Sequence, residues 1–472
     1  MGTSDRSEER VGLLVLAAGV GSRMRSSLPK PLHTVAGVTM IERVLRAGAG
    51  ACPDVVGLVL SPESMSVPRA ISHNTGVVIA IQAVPRGTGD AVRLGLEALP
   101  AVDCLVVLYS DHPLLEPLSV AKLLERSRAS RAKVTLLSAI LDDAGGYGRI
   151  VHDADGRPIG IVELRDDDRA LRMGATEINT GMMALDASWA RHALSHLRPS
   201  GATGELYLTE LVAIAARDVC RDEPWPVASV RGDADDALGV NDRIDLARAE
   251  SRAWERKRTR LLREGVTMRL PESIMVDEDV VVGADTVILP HSQLLGDTHV
   301  GTACVLGPAA VIKDAHIGDR VIIRSSTVES SIIADDTDVG PYSHLRAGSE
   351  IGARVHVGNF AEIKNARLAA GVKVGHFSYI GDAALGADTN IGAGAVTANF
   401  DGREKHHTEI GARAFIGSGS VLRAPIRIGD DARTGAGSVV TRDVPAGSTV
   451  VGMPARVVRR GPAGTNPHNE EA

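Results

Sequence analysis

Aliphatic residues recur every six positions through the C-terminal part of this 472-residue chain. The clearest series, which include one threonine, are Ile410, Ile416, Leu422, Ile428, Thr434 and Val440; Val339, Leu345, Ile351, Val357 and Ile363; and Leu368, Val374 and Ile380. A period of six fits neither a helix face nor a long strand, but it is typical of a parallel β-helix, in which each hexapeptide forms one short strand and one turn. We therefore expect these residues to point inward, with the glycine that often follows them serving a positive φ or a tight corner.

The N-terminal half has a different pattern, in which short apolar runs alternate with amphipathic helical segments. Strands are predicted at 11–19, 54–60, 76–82, 103–111 and 132–141, and helices at 39–49 and 89–100. Such alternation predicts an α/β domain with a mostly parallel, Rossmann-like sheet, which binds ligands beyond the carboxyl ends of its strands. The charged segment 243–264 is predicted to be one long helix that ends at Gly265.

The predicted organisation is an α/β domain at 1–242, a linker helix at 243–265, a β-helix at 266–460 and a disordered tail at 461–472. The net charge of −7 gives no general support for a nucleic-acid partner. No apolar run is long enough to span a membrane, and the four cysteines are far apart without a CxxC pair. We therefore expect a cytoplasmic protein that has no membrane or nucleic-acid partner and binds small molecules.

A glycine-rich turn follows the first predicted strand in LAAGVGSRMRSSLPKPLH, residues 16–33. Met24 replaces the third glycine of a dinucleotide fingerprint, and the Gly-Lys-Ser/Thr of a P-loop is absent. Gly19 and Gly21 would expose backbone N–H groups to a phosphate, while Arg23 and Lys30 would supply positive charge. Such cations stabilise the charge that develops on a departing pyrophosphate. Taken alone, the stretch fits an ordinary surface turn equally well.

Further motifs resolve that ambiguity through a resemblance. LAAGVGSRM followed by LPKPLH is similar to the signature of sugar-nucleotide pyrophosphorylases. Other matches in order are Gln82 with Arg86-Gly87-Thr88-Gly89, Tyr109-Ser110-Asp111, Gly146-Tyr147-Gly148, Ile161-Val162-Glu163, Glu177-Ile178-Asn179 and Gly239-Val240-Asn241. With the hexapeptide half, residues 11–458 resemble the bifunctional N-acetylglucosamine-1-phosphate uridyltransferase/glucosamine-1-phosphate N-acetyltransferase family.

This resemblance implies roles for residues of the first half. Arg23 and Lys30 would neutralise the UTP phosphates, and Asp111 with Asn241 would bind Mg²⁺, which prefers oxygen ligands. The remaining residues implied to bind UTP or UDP-N-acetylglucosamine are Leu16, Ala17, Ala18, Gly19, Gln82, Gly87, Thr88, Tyr109, Gly148, Glu163 and Asn179. Departures from the family pattern at Ser110, His112 and Leu164 leave the sugar preference open.

The six-residue period by itself places charge together in the second half. With about 18 residues per coil, positions 346, 364 and 382 should lie above one another. Arg346 and Lys364 would then form a phosphate clamp, with His376 and Tyr379 on the neighbouring coil. The alternative is a solvated ladder of charge. The polar segment 398–409 leaves the repeat and is a further candidate for function.

The resemblance implies that His376 is the general base of acetyl transfer, and that Arg346, Lys364, Tyr379 and Asn390 bind glucosamine 1-phosphate. Residues implied to bind acetyl-CoA are Ala393, Asn399, Phe400, Ser418, Ala436 and Arg456. Phe400 stands where the family has tyrosine, and Lys405 completes that loop motif. The family fold is a left-handed β-helix that assembles as a homotrimer. Two alternatives remain: a nucleotidyltransferase whose β-helix only assembles or regulates, and a non-enzymatic scaffold built from the same two modules.

Overall fold

The computed structural model describes residues 9–19, 21–71, 76–162, 176–200, 204–219 and 223–459. Two compact units meet in sequence between Ala253 and Trp254. That point lies inside the helix Arg243–Arg263, which corresponds to the helix predicted at 243–264. The finer domain boundaries stay a prediction, and the expected tail at 461–472 lies outside the described residues.

The first unit contains the predicted alternation of strands and helices. Its strands are β1 (Val11–Ala17), β2 (Thr34–Val35), β3 (Val38–Thr39), β4 (Val55–Leu60), β5 (Val78–Ile81), β6 (Cys104–Tyr109), β7 (Val134–Leu141), β8 (Arg149–His152), β9 (Pro158–Val162), β10 (Thr176–Asp186) and β11 (Val227–Arg231). Its helices are α1 (Met40–Gly48), α2 (Thr88–Ala98), α3 (Pro117–Ser130), α4 (Ala187–Ser195) and α5 (Glu210–Arg217), and α6 (Arg243–Arg263) begins in this unit and ends in the second. None of the helices in the described ranges combines the length and apolar character needed to cross a bilayer.

The main sheet has the strand order β11-β7-β10-β6-β1-β4-β5, with β8 also paired to β10 and β9 paired to β8. β1 pairs in parallel with both β4 and β6, whereas β10 is antiparallel to its neighbours β6 and β7. The chain runs outward from β1 to β5 and then returns to the other side of β1 with β6. The crevice beyond the carboxyl ends of β1 and β6 is therefore a topological switch point, where such sheets bind ligands.

Residues of β1 alternate between two hydrophobic cores, one on each side of the sheet. Leu14 packs with Val92 of α2, whereas Leu13 and Val15 pack with Ile41 of α1. All seven residues of β1 are buried, which explains why the strand reads as a continuous apolar run. This covering on both faces holds the end of β1 firmly in place beside β6.

The second unit is the predicted parallel β-helix, built from three long sheets. One sheet contains Thr267–Met268, Val287–Ile288, Val305–Leu306, Ile322–Ile323, Asp338–Val339, His356–Asn359, Lys373–His376, Asn390–Ile391, Phe415–Ile416, Arg433–Thr434, Thr449–Gly452 and Ala455–Arg459. A second contains Met275–Val276, Gln293–Leu295, Val311–Lys313, Thr327–Glu329, His344–Leu345, Glu362–Lys364, Tyr379–Gly381, Val396–Ala398, Val421–Arg423 and Val439–Val440. The third contains Val281–Val282, His299–Val300, His316–Ile317, Ile332–Ile333, Glu350–Ile351, Arg367–Leu368, Ala383–Leu385, Thr408–Ile410 and Ile426–Ile428.

Every residue of the three six-residue series is buried, so the inward orientation is confirmed. Of the two reasons predicted for the glycines that follow these aliphatic residues, a positive φ does not apply to every one. Gly358, for example, does not have a positive φ, but a Cβ there would lie 1.8 Å from the carbonyl oxygen of Gly375 on the next coil. These glycines are therefore needed for the close approach of successive coils at a corner.

Coil length varies, and this corrects one predicted stack. Leu345 pairs with Ile363, which places Arg346 beside Lys364 as predicted. Lys364 then pairs with Gly381 and not with residue 382, because this coil is one residue shorter. The next coil is much longer, since Ala383 pairs with Thr408 in the third sheet. The predicted excursion at 398–409 therefore forms an external loop.

Candidate active sites

The turn after β1 lies at the switch point of the first unit. Gly21 has a φ of 64°, and the short helical turn Ser22–Met24 follows it. A Cβ on Gly19 would meet open space, so this backbone faces a free region of the crevice. The backbone N–H of Ser110 donates to the carbonyl of Leu16 at 3.1 Å and ties the end of β6 to that of β1.

A compact charged cluster lies at this edge of the sheet. The Lys30 Nζ donates to Asp111 Oδ2 at 2.6 Å, and His112 Nδ1 lies 3.0 Å from Asp111 Oδ1. Burial opposes ionisation of Asp111, but the hydrogen bond and charge of His112, together with the charge of Lys30, hold the pKa of that carboxyl well below its usual range. His112, which departs from the family pattern, is a direct partner of Asp111 in the structure.

A second pair lies beside the first. Arg23 Nη2 donates to Asn241 Oδ1 at 2.9 Å, and the N–H of Val240 donates to the carbonyl of Asp111 at 2.8 Å. The structure thus brings Arg23, Lys30, Asp111 and Asn241 to one edge, with each cation on an oxygen of a predicted metal ligand. A carboxylate and an amide oxygen fit Mg²⁺, which typically takes few protein ligands and completes its shell with water and phosphate.

Residues assigned to the base and sugar lie around the same crevice. Gln82 Nε2 donates to the Gly87 carbonyl at 3.1 Å and to Asp90 Oδ2 at 3.0 Å. Both amide protons are therefore used, and the amide oxygen Oε1 is the atom that can accept a hydrogen bond from a ligand. Thr88 Oγ1 instead accepts the N–H of Leu208 at 3.1 Å. Leu16 and Ala17 are buried in the sheet, so only their backbone is available to a ligand.

On the sugar side, the N–H of Asn179 donates to the carbonyl of Gly148 at 2.8 Å. Its Oδ1 accepts the N–H of Gly181 at 3.0 Å. Tyr109 packs its ring edge-on against His112 with centroids 5.9 Å apart. Glu163 and the neighbouring departure Leu164 lie outside the described residues.

In the second unit, His376 lies at the end of its strand and pairs in register with Asn359 on the previous coil. Its Nδ1 is 2.8 Å from Asn359 Oδ1. Because an amide oxygen only accepts, Nδ1 donates this hydrogen bond, and in the neutral form of the ring Nε2 is then the nitrogen that carries the lone pair. The exposed imidazole is thus oriented by Asn359, a residue that the sequence analysis does not single out.

Positive charge gathers beside this histidine. Lys364 lies next to Arg346, which donates from Nη1 to Glu362 Oε1 at 2.8 Å. The hydrogen bond and charge of Lys364 lower the pKa of Lys405, which approaches from the external loop. Two neighbouring ammonium groups repel each other, so a bound anion would be stabilised beside them, and this pair is a candidate anion site. Tyr379 pairs with Glu362 in the same sheet.

Asp382 is the centre of this cluster, and its side chain is only 12% exposed. Its Oδ1 accepts Asn365 Nδ2 at 2.6 Å, and its Oδ2 accepts Asn399 Nδ2 and lies 4.0 Å from Lys364 Nζ. The sequence placed position 382 in the charged stack but gave it no role. In the structure it fixes Asn399, the first residue of the loop that carries Lys405.

A column of small residues continues from His376 along one corner of the β-helix. Backbone bonds at 2.7–3.2 Å link Gly394 N to His376 O, Gly419 N to Ala393 O and Gly437 N to Ser418 O. These bonds stack Ala393, Ser418 and Ala436 on the coils that follow His376, and their assignment to acetyl-CoA stays a prediction.

The neighbouring column of the same corner changes from aromatic residues to glycines on the coil that follows His376. Tyr342, Phe360 and Phe377 are 60–64% exposed in three successive coils, and glycines 394, 419 and 437 follow in the next three. A Cβ on Gly394 would lie 2.8 Å from the Phe377 ring. Aromatic bulk therefore stops where the small-residue column begins, so the surface of this corner beyond His376, here called the channel, carries no large side chain from these two columns.

The other predicted ligands of this unit lie in three different places. Asn390 pairs with Lys373 in the strand next to His376, and Arg456 is exposed on the final strand opposite Val451. Phe400 is 60% exposed in the loop, where it forms a bridge with Lys405.

Comparisons with known proteins agree with this two-part arrangement. Residues 13–151 match the MobA-like NTP transferase domain, and residues 407–442 match the bacterial transferase hexapeptide (six repeats). The chain is 37% identical to the bifunctional protein GlmU of Streptococcus equi subsp. zooepidemicus over 459 residues, covering 97% of this chain and 98% of that protein. The chain belongs to the GlmU family.

Other GlmU proteins give the same result. Identity is 41% with that of Mycolicibacterium vanbaalenii, covering 93% of this chain and 90% of the relative. It is 39% with that of Prochlorococcus marinus, covering 96% and 99%. The similarity to GlmU proteins therefore extends through both units and is not confined to either module.

Proposed function

We propose that the chain performs two reactions, one in each unit. The β-helix unit transfers the acetyl group of acetyl-CoA to glucosamine 1-phosphate. The N-terminal unit transfers UMP from UTP to the resulting N-acetylglucosamine 1-phosphate and releases pyrophosphate, giving UDP-N-acetylglucosamine. Two observations carry this proposal. In the β-helix unit, the His376 imidazole lies near the cation Lys364. In the N-terminal unit, the Asp111 carboxylate contacts Lys30 at the switch point of the sheet.

In acetyl transfer, Lys364 and Lys405 bind the phosphate of the amino sugar, and Arg346 contributes once it turns from Glu362. His376 Nε2 removes a proton from the amine, because only a neutral amine attacks a thioester. The amine forms the new C–N bond, and the C–S bond breaks to release the thiol of CoA. The channel beyond His376 accommodates the extended part of acetyl-CoA, and Tyr379 and Asn390 border the sugar.

In uridylyl transfer, a sugar-phosphate oxygen attacks the α-phosphorus of UTP in line, and the bond to pyrophosphate breaks. Arg23 and Lys30 leave the oxygens of Asn241 and Asp111 for the phosphates, where their charge stabilises the leaving group. Those two oxygens would hold Mg²⁺, which supplies further charge neutralisation between the phosphates. Gln82, with its amide protons already engaged, presents an acceptor to the base.

We also propose that the protein assembles as a homotrimer in the cytoplasm. The exposed column Tyr342, Phe360 and Phe377 supports self-association, because isolated chains seldom expose adjacent aromatic rings. Light scattering on the purified full chain tests the trimer, and a monomeric mass at assay concentration would contradict it.

Two assays on the same preparation test the proposed reactions: thiol release from acetyl-CoA with glucosamine 1-phosphate, and pyrophosphate release from UTP. We expect His376→Ala to remove thiol release and leave pyrophosphate release intact, with Asp111→Ala giving the reverse pattern. Activity only with UTP would favour a nucleotidyltransferase with an assembly β-helix. A panel of sugar 1-phosphates in the second assay determines the sugar preference.

A further inference from the structure

Two histidines lie side by side on the third sheet of the β-helix, outside the residues assigned above. His299 and His316 are register partners on successive coils. The next residues, Val300 and Ile317, are each only 5% exposed and fill the core, so the two imidazoles point outward. Their rings stack with centroids 5.0 Å apart and an interplanar angle of 24°.

A carboxylate completes the group. Asp297 Oδ1 lies 3.5 Å from His299 Nδ1. That nitrogen is shielded from solvent and has no hydrogen-bond partner, which is an unfavourable state for a buried polar atom. One donor atom from each of the three residues lies within 4.8 Å of the others, and among the described residues this is the one cluster of three such groups.

We propose that Asp297, His299 and His316 bind a divalent transition-metal ion, with Zn²⁺ as the probe that best fits the ligands. Imidazole nitrogens with one carboxylate suit Zn²⁺, Co²⁺, Ni²⁺ or Cu²⁺, whereas Mg²⁺ prefers oxygen alone. The site therefore differs in chemistry from the oxygen pair of Asp111 and Asn241.

The geometry needs a modest contraction. Ligand atoms about 2.0–2.2 Å from a tetrahedral Zn²⁺ are separated by roughly 3.4 Å, which is closer than the present limit of 4.8 Å. The side chains of His299 and Asp297 are 45% and 75% exposed, so rotation about their side-chain bonds can supply the approach. The neighbouring Asp314 is not a member of the cluster, and its Oδ1 accepts the N–H of Asp297 at 3.0 Å.

Such an ion would connect two successive coils through side chains, in addition to the backbone ladder. Because the three ligands come together only in the folded chain, binding should stabilise the native state. The role inferred for this ion is therefore structural.

The test uses the metal-depleted full-length protein dialysed against Zn²⁺ without nucleotide, with bound zinc measured by elemental analysis. The variants are His316→Gln and His299→Gln, and the matched control is His356→Gln. His356 also lies beside a carboxylate, with its Nδ1 2.8 Å from Asp338 Oδ2, but it belongs to no such cluster of three. We expect wild type and His356→Gln to hold one more equivalent of zinc than either cluster variant.

Two further readouts keep the result decisive. Zn²⁺ should raise the melting temperature of wild type and His356→Gln but not of His316→Gln, and Co²⁺ should give a strong visible absorption band in the same two proteins. Zinc bound elsewhere is common to all variants and cancels in the comparison. Equal zinc content in wild type and a folded His316→Gln, as judged by circular dichroism, would overturn the proposal; if His299→Gln fails to fold, His316→Gln decides.

Discussion

Replacing Asp382 with asparagine tests whether this buried carboxylate holds the external loop in place. Asp382→Asn keeps the shape but turns one acceptor into a donor that faces Asn365 or Asn399. One buried amide is then left unpaired, at a cost of about 1–3 kcal/mol, and Lys364 loses a nearby counter-charge. We expect a local loss of about 2–3 kcal/mol, which corresponds to roughly 30- to 150-fold easier opening of the segment.

Hydrogen exchange measured by mass spectrometry on peptides covering 396–410 reports that opening directly. The control is Asp431→Asn, which removes an exposed partner of Arg413 and should change exchange very little. Thiol release should fall in Asp382→Asn through a higher KM for glucosamine 1-phosphate, while pyrophosphate release stays unchanged in the same sample. Equal exchange in the two variants would refute the assigned role of Asp382.

The effect should also depend on pH in a definite direction. Burial opposes ionisation of Asp382, but hydrogen bonds from Asn365 and Asn399 and the charge of Lys364 outweigh it and lower the pKa of the carboxyl. A lowered pKa contributes stability that is present above the unfolded value of about 4 and is lost as the pH falls through the folded value. The exchange difference between wild type and Asp382→Asn should therefore be constant from neutral pH to about 5 and shrink below about 4.

Three other changes have separate readouts. Asn359→Ala frees the ring of His376, so kcat for thiol release should fall about 10- to 100-fold with an altered pH–rate profile, and an unchanged profile would argue against positioning. Lys405→Ala removes one ammonium from the anion site, so KM for glucosamine 1-phosphate should rise about 10- to 100-fold, with KM for acetyl-CoA as the internal control. Ala436→Phe fills the channel, so KM for acetyl-CoA should rise while that for the amino sugar does not; equal effects on both would place the channel elsewhere.

The repeat made the β-helix predictable because each coil contacts only its neighbours, so a local period determines the long-range stack. The interval from Ile363 to Leu368 is five and not six, and this is the signal that would have placed Gly381 rather than residue 382 beside Lys364. In the first unit, the strand ends followed from apolar runs, because both faces of the sheet are covered.

The hydrogen-bond partners of the charged side chains are harder to predict from the sequence. His112 contacts Asp111, and Asn359 contacts His376, through side-chain directions that a one-dimensional pattern does not contain. The buried state of Asp382 depends on amides contributed by two different coils. Sequence thus predicted which segments meet, while the pairing of individual polar atoms depended on packing.

The longest coil of the β-helix shows how such a scaffold can acquire new chemistry. Its additional residues leave at a corner between Ala398 and Thr408, yet Thr408 still pairs with Ala383 below it and with Ile426 above it. An insertion of this kind does not shift the strands on either side. Corners are therefore places where evolution, or an engineer, can graft a substrate-binding segment of almost any length without redesigning the stack.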